Sequence, residues 1–295
     1  MTARSSLTAF AVAVAGIAVF SVMDMVMKGL SLALGAWPTL LWRGVFGIVL
    51  AAGPYFATRK GWPTWPALRL HVTRGLLMAP MSFLFFYGLA RTPMAQAVAL
   101  TFIAPLLALG LAGLLLKESI GPRMLAGSLL ALAGGGGLVV GQARADLGHE
   151  ALVGSLAVLA SATIYAFNII VMRAQAQRAG PAEIAFFQAL VIGSLFFATT
   201  PFLGLPPLPR GHWHELLLAS SLALVSMWLL AWAYARAGAG YLSNTEYTSF
   251  LWAILLGWWR FGEGVSPFTL AGAALIVAGC FLAARAERPV LEAIA

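Results

Sequence analysis

KESIGPRMLAGSLLALAG at residues 117–134 and GEGVSPFTLAGAALIVAG at residues 262–279 decide how this chain is built. At an offset of 145, Glu118 falls on Glu263 and Pro122 on Pro267. Leu125-Ala126-Gly127 falls on Leu270-Ala271-Gly272, and Ala133-Gly134 on Ala278-Gly279. The same offset, without a gap, puts Val26-Met27-Lys28 on Val171-Met172-Arg173, Gly35 on Gly180, and Ala90-Arg91 on Ala235-Arg236. Apolar coincidences are cheap in so apolar a chain; a shared register of Arg, Glu, Pro and Gly is not. The sequence therefore reads as a duplication, with residues 1–145 as the first copy and 146–295 as the second.

Outside these stretches the chain is still more apolar. Of its 295 residues, 61% are hydrophobic and 9% charged, with a mean hydropathy of +0.90. A soluble domain is about 45–50% apolar and about 25% charged. A globule of this size cannot hide so much apolar surface, so part of its solvent is lipid. That excludes ordinary cytosolic enzymes, disordered proteins and disulfide scaffolds. The single cysteine, Cys280, lies in an apolar run and reads as a core residue. Ten runs reach span length: 7–30, 38–57, 72–90, 94–116, 121–140, 152–173, 182–203, 214–235, 238–259 and 267–285. Each is too long and too little alternating for a barrel strand of about 10 residues, so the expected class is all-α integral membrane. The first run is continuous with the rest and does not read as a cleaved signal.

The net charge of +8 is spread through the connections between runs. With the N-terminus in the cytoplasm, twelve Lys and Arg fall in inside loops and five in outside loops, with Arg43 within a span. Basic residues favour the cytoplasmic side, so both termini are expected there. This distribution fits an anionic membrane leaflet and argues against a nucleic-acid partner. Five spans per copy is an odd number, so the second copy enters the membrane from the opposite side. Inverted repeats characterise secondary transporters, in which two copies rock around a midplane site.

The ends of the two copies also resemble a known family. Lys117-Glu118-Ser119-Ile120-Gly121-Pro122 and Gly262-Glu263-Gly264-Val265-Ser266-Pro267, with the Leu-Ala-Gly and Ala-Gly that follow each, are similar to the EamA repeat of the drug/metabolite transporter (DMT) superfamily. The resemblance covers nearly the whole chain and implies ten helices in two inverted five-helix repeats. Within the superfamily the chain is most similar to YddG-type bacterial exporters of aromatic and other amino acids. The copies have diverged: Pro105 corresponds to Phe250, and Arg43 to Gln188. Glu118 and Glu263 precede helix N-termini, where a carboxylate favours the dipole and the orphan N–H groups. The glycines of spans five and ten allow close helix approach.

Polar groups inside spans are costly and mark pathways or partners. In span one Ser21, Asp24 and Lys28 share a helix face, and Asp24 and Lys28 have the favoured i,i+4 order. With Arg43 they read either as a structural ion pair or as a gate and site for charged substrate groups. Span six carries Ser161, Tyr165 and Asn168 on one face. These suit a polar substrate or interhelical hydrogen bonding. Span nine carries Asn244, Tyr247 and Thr248 on one face and Ser243 and Glu246 on another. Glu246 reads as a proton carrier, an ammonium ligand or a partner of Arg236. Phe83 and Tyr87 of span three correspond to Trp228 and Trp232 of span eight. The resemblance implies that those spans border a central cavity, where rings would hold apolar side chains and ammonium groups. Pro105 removes a backbone hydrogen bond and is expected to bend span four. Gly238-Ala239-Gly240 is the candidate joint of span nine.

The expected function is a secondary transporter of the bacterial inner membrane. It moves small metabolites by alternating access, with amino acids, aromatic ones included, as leading substrates and export as the direction. Protons are the candidate coupling ion. The alternative is an importer or exchanger of a carboxylate, vitamin or nucleotide-like metabolite. An intramembrane enzyme would need a catalytic constellation, yet His71, His149, His212 and His214 all lie near loops or span ends. No cofactor, metal or catalytic residue is expected, and no oligomer is required.

Overall fold

The computed structural model describes residues 3–59, 61–116, 126–127, 129–137, 148–237 and 242–284. Glu118 and Gly238-Ala239-Gly240, and the side chains of Arg173, Ser243, Asn244 and Cys280, lie outside that description. The elements are α1 (Ala3–Leu34), α2 (Ala36–Thr58), α3 (Trp65–Leu89), α4 (Met94–Thr101), α5 (Ile103–Leu116) and α6 (129–137). Then come α7 (Gly148–Ala176), α8 (Pro181–Ala198), α9 (Thr200–Leu203) and α10 (Trp213–Tyr234). A 3₁₀ turn, Ser243–Tyr247, leads into α11 (Thr248–Phe261), and α12 is Pro267–Ala284. Among the described residues there is no strand.

Six helical stretches are long and apolar enough to cross a membrane: 7–34, 36–58, 65–89, 148–176, 181–203 and 213–234. Shorter apolar helices cover Met94–Ala108 and Pro267–Gly279. Val49, Phe202, Trp258 and Trp259 are exposed on the outer surface, as a lipid-facing surface requires. Trp62, in the connection before α3, and Trp65 and Trp213, at the starts of α3 and α10, read as interface anchors.

Two of the expected spans, four and nine, are interrupted at equivalent positions. Span four stops at Thr101 and restarts at Ile103, so Pro105 sits in the first turn of α5, where its missing N–H costs nothing. The break thus comes at Phe102, ahead of the proline. In span nine the hydroxyls of Thr245 and Thr248 donate to the carbonyls three residues back, each at 2.6 Å. Such local bonding favours the tighter 3₁₀ turn before α11. Phe102 and Tyr247 are 145 apart, and their rings meet edge to face at 5.3 Å.

Other contacts repeat when each residue is exchanged with its counterpart 145 away. Helix α1 packs on α10, and α7 on α3, in corresponding registers. The Ser226 hydroxyl donates to the Gly16 carbonyl at 2.9 Å; at the equivalent pair, Ser161 donates to the Met81 carbonyl at 2.8 Å. A Cβ on Gly134 would lie 2.7 Å from the Gly272 carbonyl oxygen, and one on Gly279 would lie 2.5 Å from that of Gly127. Both glycines are needed for backbones to approach so closely. The main apolar core, with Met27, Leu41, Leu100, Phe196 and Ile276, draws on both copies.

Candidate functional site

Helices α3 and α7 meet along a buried polar face. His71 and Arg74 are one turn apart on α3, and Asn168 and Gln175 two turns apart on α7. Arg74 lies nine residues into its helix, about 13 Å at 1.5 Å per residue. Its Nη1 donates to Gln175 Oε1 at 2.6 Å and its Nε to Asn168 Oδ1 at 3.3 Å. Gln175 Nε2 then faces His71 Nδ1 at 2.7 Å, and His71 Nε2 faces Glu183 Oε1 at 2.9 Å. One assignment satisfies the whole chain: Gln175 donates to Nδ1, and a neutral Nε2–H imidazole donates to the Glu183 carboxylate. Glu183 occupies the first turn of α8, where the dipole favours a negative charge. His71 also stacks on Phe187 at 4.8 Å.

Tyr165, one turn before Asn168, lies within electrostatic range of both Arg74 and Glu246. The Tyr234 hydroxyl of α10 donates to Glu246 Oε1 over 3.4 Å, a long bond. Among the described residues, neither Arg74 nor Glu246 forms a salt bridge. The buried Arg74 and the exposed Glu246 thus each lack an oppositely charged partner among the described residues. Such an arrangement suits a small molecule bearing both signs of charge, or a proton passed to and from Glu246.

The charges of span one have other partners than local spacing suggests. Lys28, 3% exposed, pairs with Glu263 and donates to the Thr92 carbonyl at 2.6 Å. Glu263 Oε2 accepts the Met94 N–H at 2.7 Å, so this carboxylate caps α4, not the helix that follows it in sequence. The left-handed turn at Gly262, φ 66°, ends α11 and turns the chain toward that contact. Asp24 and Arg43 interact through space, and Asp24 Oδ1 and Arg43 Nε have no hydrogen-bond partner among the described residues.

The paired rings occupy unlike surroundings. Phe83 and Tyr87 pack against the main core, 5.8 Å apart between centroids. Trp228 and Trp232 are 44% and 38% exposed on the side of α10 turned away from Ser226. With Val12, Val225 and Leu229 they line an apolar groove of about 350 Å³. Each pair ends under an arginine: Arg91 lies 3.6 Å over Tyr87 and Arg236 4.0 Å over Trp232. Of the residues singled out in the sequence, Asn168 thus bonds Arg74 and Tyr247 meets Phe102, whereas Lys28 pairs with Glu263 and Asp24 faces the charge of Arg43.

Sequence reading missed Arg74, Gln175, Glu183 and Tyr234. Arg74 counts as a loop charge when the span is started at residue 72, but α3 begins at Trp65. The i,i+3 spacing of His71 and Arg74 was the available signal. No group of three or more His, Cys, Asp or Glu fit to hold a metal occurs among the described residues.

Comparison with known proteins places these features in context. A model of the EamA-like transporter family matches residues 7–139 and again 152–285. The pseudopaline exporter of Pseudomonas aeruginosa is 25% identical over 283 residues, 91% of this chain and 93% of its own. The riboflavin transporter of Rhizobium johnstonii is 27% identical over 294 residues, 96% of this chain and 93% of its own. A solved crystal structure with 22% identity superposes with a TM-score of 0.62 and covers 96% of this chain and 99% of that one. Neither named relative is an aromatic amino-acid exporter.

Proposed function

The chain belongs to the EamA-like transporter family of small-metabolite membrane transporters, and from that premise we propose that it exports amino acids, aromatic ones included, across the bacterial inner membrane. It does so by alternating access, with ten helices in two inverted five-helix repeats, residues 1–145 and 146–295, and both termini in the cytoplasm. The observation that carries this reading is the buried polar set of Arg74, Asn168 and Gln175 inside an otherwise apolar bundle. Ionisable groups within a membrane protein line substrate and proton pathways. The equivalent breaks at Phe102 and Tyr247, in contact at the junction of the copies, support a rocking motion about that point. Phe83, Tyr87 and Tyr247 belong to the same reading as rings for an apolar side chain. Asn244 belongs to the same reading on sequence grounds, and Trp228 and Trp232 serve it from the α10 groove. The Lys28–Glu263 pair, with Asp24, Arg43 and Pro105, belongs to the gating apparatus.

A second reading follows from the relatives' names: the cargo is pseudopaline, riboflavin or a molecule of that kind. Counterflow into proteoliposomes, with labelled amino acids beside riboflavin and pseudopaline and with or without a pH gradient, separates the two. Amino-acid counterflow well above that of empty vesicles is expected. Rates equal to empty vesicles across the amino-acid panel would overturn the first reading. If Glu246 carries the coupling proton, Glu246→Gln abolishes the response to the gradient and leaves exchange intact.

A further inference from the structure

The buried polar face between α3 and α7 is not required for two such helices to pack. Exchange through the offset of 145 maps that interface onto the one between α1 and α10. There His71 corresponds to Leu216, Arg74 to Ala219, Asn168 to Met23 and Gln175 to Leu30. All four counterparts are apolar and buried, and all belong to the main core. A bundle that closes one interface with Leu, Ala and Met has no structural need of a buried guanidinium in the other. Apolar replacement of buried polar sets is commonly neutral or stabilising.

Arg74 remains cationic at any physiological pH. Its two hydrogen-bond partners, Asn168 and Gln175, are both neutral. Glu183, which ends the chain, is held by His71 and separated from the guanidinium by the imidazole and an amide. The network therefore aims the arginine without neutralising it. Nη2 has no hydrogen-bond partner among the described residues and is not sealed from solvent. Asn168 Nδ2 is buried, in a residue 1% exposed, and is likewise without a partner. The Tyr165 hydroxyl, in electrostatic range, has no hydrogen-bond partner among the described residues. The open, unpartnered Nη2 of this oriented guanidinium makes a site for an acceptor carrying one negative charge.

We propose that Arg74, oriented by Gln175 and Asn168, binds the carboxylate of the transported molecule and makes that carboxylate a requirement for transport. This assignment rests on the amino-acid reading above. It is tested on the full chain in proteoliposomes by comparing counterflow of phenylalanine with that of phenylalaninamide, which keeps the ammonium and ring and lacks the carboxylate. Wild type is expected to prefer the acid by about 10- to 100-fold, the range of a charge-assisted hydrogen bond. Arg74→Gln is expected to bring the two within about twofold, and Arg74→Lys to retain part of the preference because it keeps the charge but not the fork. A structural role for Arg74 would lower both rates and leave their ratio alone. If Arg74→Gln does not fold, Arg74→Lys carries the test, since a ratio equal to wild type overturns the assignment. Wild-type vesicles that carry no amino acid overturn the proposed function itself. Wild-type vesicles that carry the amide as readily as the acid overturn only the role of Arg74.

Discussion

The α3–α7 and α1–α10 interfaces are made by corresponding stretches of the two copies, yet one is polar at its centre and the other apolar. At the shared level of backbone contact they agree. Ser161 and Ser226 each bond a carbonyl across the interface, at 2.8 and 2.9 Å. Gly88 meets Gly154 and Val158 where Ala233 and Ala13 stand in the other pair. They part at His71, Arg74, Asn168 and Gln175 against Leu216, Ala219, Met23 and Leu30. The difference teaches that packing and chemistry are separable in this fold. Small residues and one hydroxyl-to-carbonyl bond, its donor on opposite members of the two pairs, hold either interface together, and the charged set on one side is an addition that packing does not explain.

The strongest way to break that comparison is to erase it. The variant His71→Leu, Arg74→Ala, Asn168→Met and Gln175→Leu copies the α1–α10 residues into α3–α7. Its counterflow is expected to fall by about 100-fold, from the loss of several charge-assisted bonds. Its thermal unfolding in detergent is expected to be unchanged or improved, by up to about 1–4 kcal/mol. A variant that unfolds would mean that the polar face is structural.

Smaller effects sharpen the packing side. A Cβ on Gly88 would lie 2.4 Å from the Gly154 carbonyl oxygen, so Gly88→Ala should cost about 1–3 kcal/mol through forced separation of the helices. Alanine already stands at the equivalent position, and Ala233→Gly should cost only about 0.5–1 kcal/mol of helix propensity. Unfolding midpoints of the two variants measure the contrast, and equal losses would refute it. The smallest expected effect is shared. Ser161→Ala and Ser226→Ala should each lose about 0.5–1.5 kcal/mol and match one another, because each removes a single hydroxyl bond to a carbonyl.

Some of this was legible in the chain before any fold was known. The register of Glu118 with Glu263 and Pro122 with Pro267 gave the offset that organises the contacts. Apolar runs located the long helices, because lipid allows few polar interruptions. The site was legible only in pieces. Tyr165 and Asn168 stood out as polar residues on one mid-span face, and Glu246 as an acid within a span. Arg74 did not, because the start of its helix was set by apolar content, and Trp65-Pro66 begins it a turn and a half earlier than His71 suggests. The i,i+4 spacing of Asp24 and Lys28 was a real local signal that a tertiary partner outcompeted.

By itself, then, the sequence determined the solvent, the helical class and the duplication. Each of these follows from composition and periodicity along one chain. Only the tertiary structure decided that Lys28 belongs to Glu263, that Glu263 caps α4, and that Phe102 meets Tyr247. It also decided that Arg74 has amides and not a carboxylate beside it. Those are choices between partners of similar chemistry on different helices. Helical spacing fixes which residues share a face, but which faces meet is fixed by close packing of small residues such as Gly88 and Gly154, far along the chain from the charges they bring together.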